Sequence, residues 1–141
     1  EQFVICKNDE KVSMEMHAEL LNNSKEFMQS LKLPFRVLNI CTGDMGQGKY
    51  YMNDIETWMP SREGYGETHS ASALLDFQSR RLNLRYKDSE GQIHFCHTLN
   101  NTVVATPRVL IPLMEIYQTK DGKIQVPEVL QPYIDNQQEI G

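Results

Sequence analysis

The sequence is poor in cysteine and lacks a long apolar run. Its three cysteines, Cys6, Cys41 and Cys96, are odd in number, lie far apart and include no C-x-x-C pair. This pattern excludes a disulfide framework and a zinc knuckle, and it favours a reducing compartment. The longest apolar stretch, 103–113, is interrupted by Arg108 and is far shorter than the roughly 20 residues of a membrane helix. We therefore expect no transmembrane segment.

Basic residues are also scarce. Fourteen Lys and Arg residues stand against nineteen Asp and Glu residues, so the net charge is −5, which offers no general attraction to a polyanion. A length of 141 residues fits one domain, because domains average roughly 150 residues. The first residue is Glu, and the apolar residues after it lack the basic segment of a signal peptide. We expect the chain to be part of something longer.

Apolar spacings predict two helices. Apolar residues recur every three or four positions between Met14 and Leu31, which predicts a helix with Ser13 as its N-cap and Pro34 just beyond its end. A second helix is predicted over 104–117. Its candidate caps are Asn100, Asn101, Thr102 and Thr106.

Runs rich in β-formers predict the strands. These runs lie at 2–6, 35–41, 53–59 and 65–73. A hairpin is predicted from 82–87 and 92–99, because Asp88-Ser89-Glu90-Gly91 between them is a typical turn sequence. The tail 124–141 is predicted to be irregular. This order of elements favours an α+β fold with an antiparallel β-sheet flanked by helices.

One segment partly matches a phosphate-binding loop and another partly matches a zinc site, but each lacks a feature that its site needs. The segment 43–49 matches G-x-x-x-x-G-K of a phosphate-binding loop, but Tyr50 stands where that loop needs Ser or Thr. A glycine-rich turn is the preferred interpretation. His94, Cys96 and His97 are possible zinc ligands, but strand alternation separates them and no fourth ligand is near. Sheet residues without a metal are preferred there.

Two further features suit nucleotide chemistry. Glu67-Thr68-His69-Ser70 combines a carboxylate with hydroxyls, the oxygen ligands that Mg²⁺ prefers. Arg108 lies in an otherwise apolar helix start, which is costly unless its guanidinium meets an anion or an aromatic ring. A structural salt bridge of Arg108 explains the same observation equally well.

Together these segments resemble the seryl-tRNA synthetase family of class II aminoacyl-tRNA synthetases. The similarity runs along almost the whole chain, and several separate motifs occur in the family's order and spacing. They are Asp54-Ile55-Glu56-Thr57-Trp58-Met59-Pro60, Glu67-Thr68-His69-Ser70, Asp76-Phe77-Gln78-Ser79-Arg80-Arg81 and a motif-3-like segment from His97 to Arg108. The resemblance implies the C-terminal part of a class II catalytic fold over 1–141, beginning at the end of motif 2. Motif 1 and the body of motif 2 would then lie upstream.

The resemblance also implies site residues. Glu67 and Arg108 would be catalytic, and Glu67 and Ser70 would ligate Mg²⁺. ATP would be bound by Glu67, Ser70 and Arg108, with the strand backbone of Thr68 and His69 around the nucleotide. Serine would be bound by a separate set: Glu1, Asn100 and Thr102.

The implied reaction is activation of L-serine by ATP to seryl adenylate, followed by transfer to tRNA(Ser). ATP and Mg²⁺ are the implied cofactors, the tRNA-binding arm would lie outside this chain, and the parent protein is expected to be a cytoplasmic homodimer without a membrane segment. These residues alone are expected to be inactive. Two alternatives remain open. One is a synthetase-like paralogue that serves as an interaction module or charges a carrier protein, and the other is a phosphohydrolase built on the segment 43–49.

Overall fold

A computed structural model describes residues 1–141 of the chain. It contains three α-helices, which are α1 (Glu10–Ser30), α2 (Phe77–Leu82) and α3 (Thr106–Tyr117). Nine strands accompany them: β1 (Gln2–Cys6), β2 (Phe35–Asn39), β3 (Tyr51–Met59), β4 (Gly64–Leu75), β5 (Arg85–Lys87), β6 (Ile93–Phe95), β7 (His97–Asn101), β8 (Ile124–Gln125) and β9 (Glu139–Ile140). Two 3₁₀-helices cover Pro60–Arg62 and Glu128–Tyr133. No helix combines the length and the apolarity that crossing a membrane needs.

Five strands form the central sheet, in the order β1-β7-β4-β3-β2. Every neighbouring pair in this sheet is antiparallel. The remaining strands form two separate pairs, β5 with β6 and β8 with β9. The predicted α+β fold built on an antiparallel sheet is therefore confirmed.

One face of the sheet is covered by α1 and α3. Ile55 of β3 belongs to a buried cluster that joins the two helices, with members Met28, Leu31, Leu33, Ile55 and Val109. Asn101 of β7 lies on the same face, where its side-chain amide donates to the carbonyl of Leu20 at 2.7 Å and to the hydroxyl of Ser24 at 2.8 Å. This face holds the core of the protein.

The opposite face is rich in polar side chains, and we call it the polar face. Its residues alternate with those of the core face, since neighbouring residues of a strand point to opposite sides. Asp54 of β3 pairs with Ser70 of β4, and Ser72 of β4 pairs with Asn100 of β7. At one end of this face α2 contacts β7, where Thr98 donates to Gln78 at 2.7 Å.

The first helix begins earlier than predicted. Asp9, not Ser13, is the N-cap, and its carboxylate accepts from the backbone of Val12 at 3.1 Å. This hydrogen bond lowers the pKa of Asp9. Ser13 lies inside the helix, fully buried, with its hydroxyl 2.7 Å from Nδ1 of His97. Ser13 therefore contacts the distant strand β7, and Asp9 caps the helix in its place.

The region between the long strands and the last helix also differs from prediction. The segment 77–82 is the short helix α2, which was not predicted. The predicted strand 92–99 divides at Cys96, so that β6 pairs with β5 while β7 joins the central sheet. Asn100 and Asn101 belong to β7 and do not cap α3, whose N-cap is Ala105 without a side-chain hydrogen bond.

Candidate active site

The site residues predicted from separate motifs lie around one cavity. Its volume is about 280 Å³. The lining residues are Glu67, Thr68, His69, Ser70, Thr102, Ala105 and Arg108. Six of these seven residues are predicted site residues, although they are spread over more than forty positions of the sequence. Folding therefore brings the Glu67–Ser70 strand and the motif-3-like segment together.

Two backbone features place these side chains. The pairing of β3 with β4 shifts register between Ile55 and Glu56, so Ile55 pairs with His69 while Glu56 pairs with Glu67. This irregularity inserts Thr68 as an extra residue, which puts Glu67 and Ser70 on the polar face together. After β7, the backbone N–H of Thr102 donates to the carbonyl of Ser70 at 2.9 Å. Thr102 is thereby held against the strand that carries Ser70.

Glu67 and Arg108 form an ion pair across the cavity. Nη1 of Arg108 lies 3.0 Å from Oε1 of Glu67, and the two side chains are 54% and 42% exposed. A pair this exposed contributes only about 0.2–1 kcal/mol. The salt bridge considered for Arg108 is thus present, but it is weak. Binding of an anion to Arg108 and a cation to Glu67 would separate the pair at small cost.

Thr68 and His69 direct their side chains into the core of the protein and not into the cavity. Both are essentially fully buried. The Thr68 hydroxyl lies 2.8 Å from that of Thr57 and 2.8 Å from Nδ1 of His69. Burial lowers the pKa of His69 to about 4, against a smaller opposing effect of the Val103 backbone. His69 is therefore neutral at pH 7, and neither of the two side chains is exposed to the cavity.

The two other predicted serine-binding residues do not line the cavity. Glu1 is exposed and directly precedes β1. Because Gln2 pairs with Asn101, continuing this register by one residue sets Glu1 opposite Thr102. Asn100 lies on the polar face between Phe3 and Ser72, one row away from Ser70. Both residues are neighbours of the cavity across the sheet.

Sequence reasoning did not single out Asp54, which lies beside the site. Asp54 is the direct partner of Ser70 on the polar face, and burial raises the pKa of its carboxyl. Its position within the D-I-E strand motif was visible in the sequence. Nothing local distinguished it from Glu56, however, because the pairing with Ser70 depends on the register of two strands.

The donor set fits a magnesium ion that is held partly by its nucleotide. No group of three or more His, Cys, Asp or Glu residues is placed to hold a metal. Glu67 and Ser70 offer hard oxygen atoms on one wall of the cavity. Mg²⁺ is commonly held by one or two carboxylates together with substrate phosphates and water rather than by a cage of protein ligands. Two protein ligands are therefore sufficient here.

The segments 43–49 and 94–97 have structural roles. A Cβ on Gly48, which has a φ of 88°, would collide with the ring of Phe77, and β3 rather than a helix follows the segment. Gly48 thus serves packing and not a phosphate. His94 pairs with Asp88 at 2.6 Å, and His97 contacts α1. The preference for a turn at 43–49 agrees with this geometry, and His94 and His97 each have a partner within the protein.

Comparison with known proteins places the chain in a family. The family model described as the tRNA synthetase class II core domain (G, H, P, S and T) matches residues 1–117. The chain belongs to this family of class II tRNA synthetases. Its similarity to seryl-tRNA synthetases, which the sequence motifs predicted, is confirmed by the relatives and solved structures that follow.

Individual class II relatives support this narrower similarity. The chain is 48% identical over its whole length to a serine--tRNA ligase of Deinococcus radiodurans and covers 33% of that protein. It is 45% identical to the serine--tRNA ligase of Nitrosopumilus maritimus over 99% of the chain and 33% of the relative. The chain thus spans about a third of the length of the curated relatives that it matches.

Solved class II structures show the same fold. A seryl-tRNA synthetase from Pyrococcus horikoshii complexed with ATP superposes with a TM-score of 0.92, at 40% identity, over 99% of this chain and 31% of that one. A cytoplasmic serine-tRNA ligase from Naegleria fowleri in complex with AMP also has a TM-score of 0.92, at 41% identity, over 99% of this chain and 33% of that one. The predicted synthetase fold is confirmed.

Proposed function

We propose that this chain forms part of the catalytic domain of a serine--tRNA ligase and contributes to the activation of L-serine by ATP. The observation that carries the proposal is the single cavity that unites Glu67, Ser70, Thr102 and Arg108. These residues come from two motifs that are separate in the sequence, Glu67–Ser70 and the motif-3-like segment His97–Arg108. Similarity to serine--tRNA ligases over the whole chain supports the same activity.

ATP would be held between β4 and the start of α3. Separation of the Glu67–Arg108 pair frees a carboxylate for the metal ion and a guanidinium for the nucleotide. Arg108 suits the adenine ring and a phosphate because its planar cation can both stack and bind an anion. Glu67 and Ser70 would ligate Mg²⁺, which neutralises charge on the phosphates. The backbone at Thr68 and His69 would border the nucleotide.

Serine would lie beside Thr102, next to Ser70. The Thr102 and Asn100 side chains can exchange hydrogen bonds with the serine hydroxyl, and the Glu1 carboxylate is suited to the serine ammonium. Continuing the register of Gln2 with Asn101 by one residue would set Glu1 opposite Thr102, whose backbone bonds to Ser70, and this supports a common serine site. The serine and metal positions would thus be adjacent.

In the proposed reaction, the serine carboxylate attacks the α-phosphorus of ATP. A phosphorus–oxygen bond to serine forms while the bond to the leaving pyrophosphate breaks, and the products are seryl adenylate and pyrophosphate. No protein nucleophile is needed, so these residues act by holding both substrates in line and by offsetting negative charge. Transfer of the seryl group to a hydroxyl of the terminal ribose of tRNA(Ser) would follow, forming an ester and releasing AMP, in a cytoplasmic protein that is a homodimer.

The test is pyrophosphate exchange into ATP by the full-length protein. We expect exchange that requires serine and Mg²⁺ and that alanine supports poorly. ATP hydrolysis without serine would instead favour the phosphohydrolase alternative. The acceptor is tested in a second assay with radiolabelled serine: labelling of tRNA(Ser) supports the proposal, and labelling of a carrier protein alone supports the paralogue alternative. No exchange and no labelling would favour an interaction module.

A further inference from the structure

Asp54 continues the row of site residues across the sheet. Ser70 pairs with Asp54 on one side, and on the other side its backbone carbonyl accepts a hydrogen bond from the backbone N–H of Thr102. Asp54 and Ser70 therefore lie side by side on the polar face, and Asp54 is next to the proposed metal ligand although it does not line the cavity.

Asp54 differs from the other two carboxylates on this part of the polar face. Glu56 is paired with Arg36, whose Nη2 lies 2.6 Å from the carboxylate, and Glu67 is paired with Arg108. Asp54 forms no ion pair, and its Oδ1 is buried without a hydrogen-bond partner. A buried polar atom of this kind is costly, so its retention calls for an explanation other than stability.

We propose that Asp54 is a positioning residue that accepts a hydrogen bond from the Ser70 hydroxyl and thereby turns a lone pair of that oxygen toward the metal ion. The inference rests on the proposed function of Ser70. A hydroxyl has one donor hydrogen and two acceptor lone pairs. A hydroxyl that ligates a metal must therefore give its hydrogen to another group, and Asp54 is the adjacent acceptor in the sheet.

The geometry around Asp54 agrees with this role, because Ser70 is its direct partner in the sheet and Oδ1 of its carboxylate has no hydrogen-bond partner elsewhere in the protein. Groups that orient metal ligands in this way commonly affect metal affinity or activity about 10–100-fold.

The experiment measures Mn²⁺ binding as well as activity. In the full-length protein, free Mn²⁺ is followed by electron paramagnetic resonance in the presence of a non-hydrolysable ATP analogue. We expect D54A to weaken Mn²⁺ binding about 10–100-fold. Asp54→Asn retains an acceptor oxygen of nearly the same shape, so its loss should be smaller. Circular dichroism and melting temperature establish that each variant is folded.

Two comparisons separate positioning from a general loss of charge. Glu56→Gln removes a carboxylate from the same strand and face but leaves Ser70 alone, so Mn²⁺ binding should stay close to that of the unchanged protein. In a Ser70→Ala background, D54A should have little further effect, because residues that act through one another are non-additive.

The inference would be overturned by D54A binding Mn²⁺ normally, by an equal loss in Glu56→Gln, or by a full additional loss in the Ser70→Ala background. Absence of Mn²⁺ binding by the unchanged protein would overturn it as well. Failure of the proposed function has a different signature, since Mn²⁺ and nucleotide would then bind without any serine-dependent exchange.

Discussion

Replacing Arg108 by Lys should separate catalysis from stability. The change retains the positive charge near Glu67 but removes the planar guanidinium that is suited to stacking on adenine. In the structure Arg108 is 54% exposed and its ion-pair contact is the single 3.0 Å approach to Glu67. The structural role of Arg108 is therefore small, and its proposed role toward ATP is large.

The two roles predict effects of different size. Loss of an exposed ion pair costs about 0.2–1 kcal/mol, which corresponds to a fall in melting temperature of no more than about 4 °C for a domain of this size. Lys keeps the charge but cannot stack on adenine or present two parallel N–H groups to a phosphate, and loss of one correctly placed hydrogen-bond donor to the transition state costs about 10²–10³ in rate. Arg108→Lys should therefore reduce pyrophosphate exchange severely and leave unfolding almost unchanged.

The assay combines serine-dependent pyrophosphate exchange with thermal unfolding of the full-length protein. Arg36→Lys is the matched control, because Arg36 is also exposed, pairs with Glu56 at 2.6 Å and lies 4.6 Å from the ring of Tyr65, yet stands outside the cavity. The control should exchange pyrophosphate almost normally. If Arg108→Lys also retains near-normal exchange, the proposed role toward ATP is wrong and the salt-bridge interpretation suffices.

Three further predictions concern other residues of the cavity. Glu67→Ala should lower the exchange rate about 10²–10³-fold through loss of a metal ligand in a folded protein; near-normal exchange would exclude that role. Thr102→Val should reduce discrimination of serine from alanine, because a hydroxyl-binding group is lost; unchanged discrimination would contradict its place in the serine pocket. Finally, denaturant titrations should show stability falling as the pH drops from about 6.5 toward about 4, because His69 is neutral when folded and protonates more readily when unfolded. His69→Gln should make that fall shallower, and an identical pH profile would refute the assignment.

Much of the fold was predictable because its signals are local. The spacing of apolar residues in α1 and the β-rich composition of the long strands depend only on neighbouring positions. Pro107 stands in the first turn of α3, a position that proline favours in any helix. These features place the elements in the correct order, and that order was sufficient to predict an antiparallel α+β fold.

The errors arose where local preference competed with a distant contact. Ser13 is a good N-cap by residue type, but in the folded protein its hydroxyl meets His97, 84 positions away. Asn101 also suits a helix cap by residue type, yet its side-chain amide donates to the carbonyl of Leu20 and the hydroxyl of Ser24 in α1. Polar side chains of these types serve either purpose, and only the packing of strand against helix selects one.

The sequence by itself determined which chemical groups are available and the order in which they occur. Its motifs included Glu67, Ser70, Thr102 and Arg108 and predicted a magnesium and nucleotide site. The tertiary structure decided which of these groups meet, and it set Asp54 beside Ser70 through the pairing of β3 with β4. The physical reason is strand register, since a shift of one residue would turn the side chains of Glu67, Ser70 and Asp54 to the opposite face of the sheet.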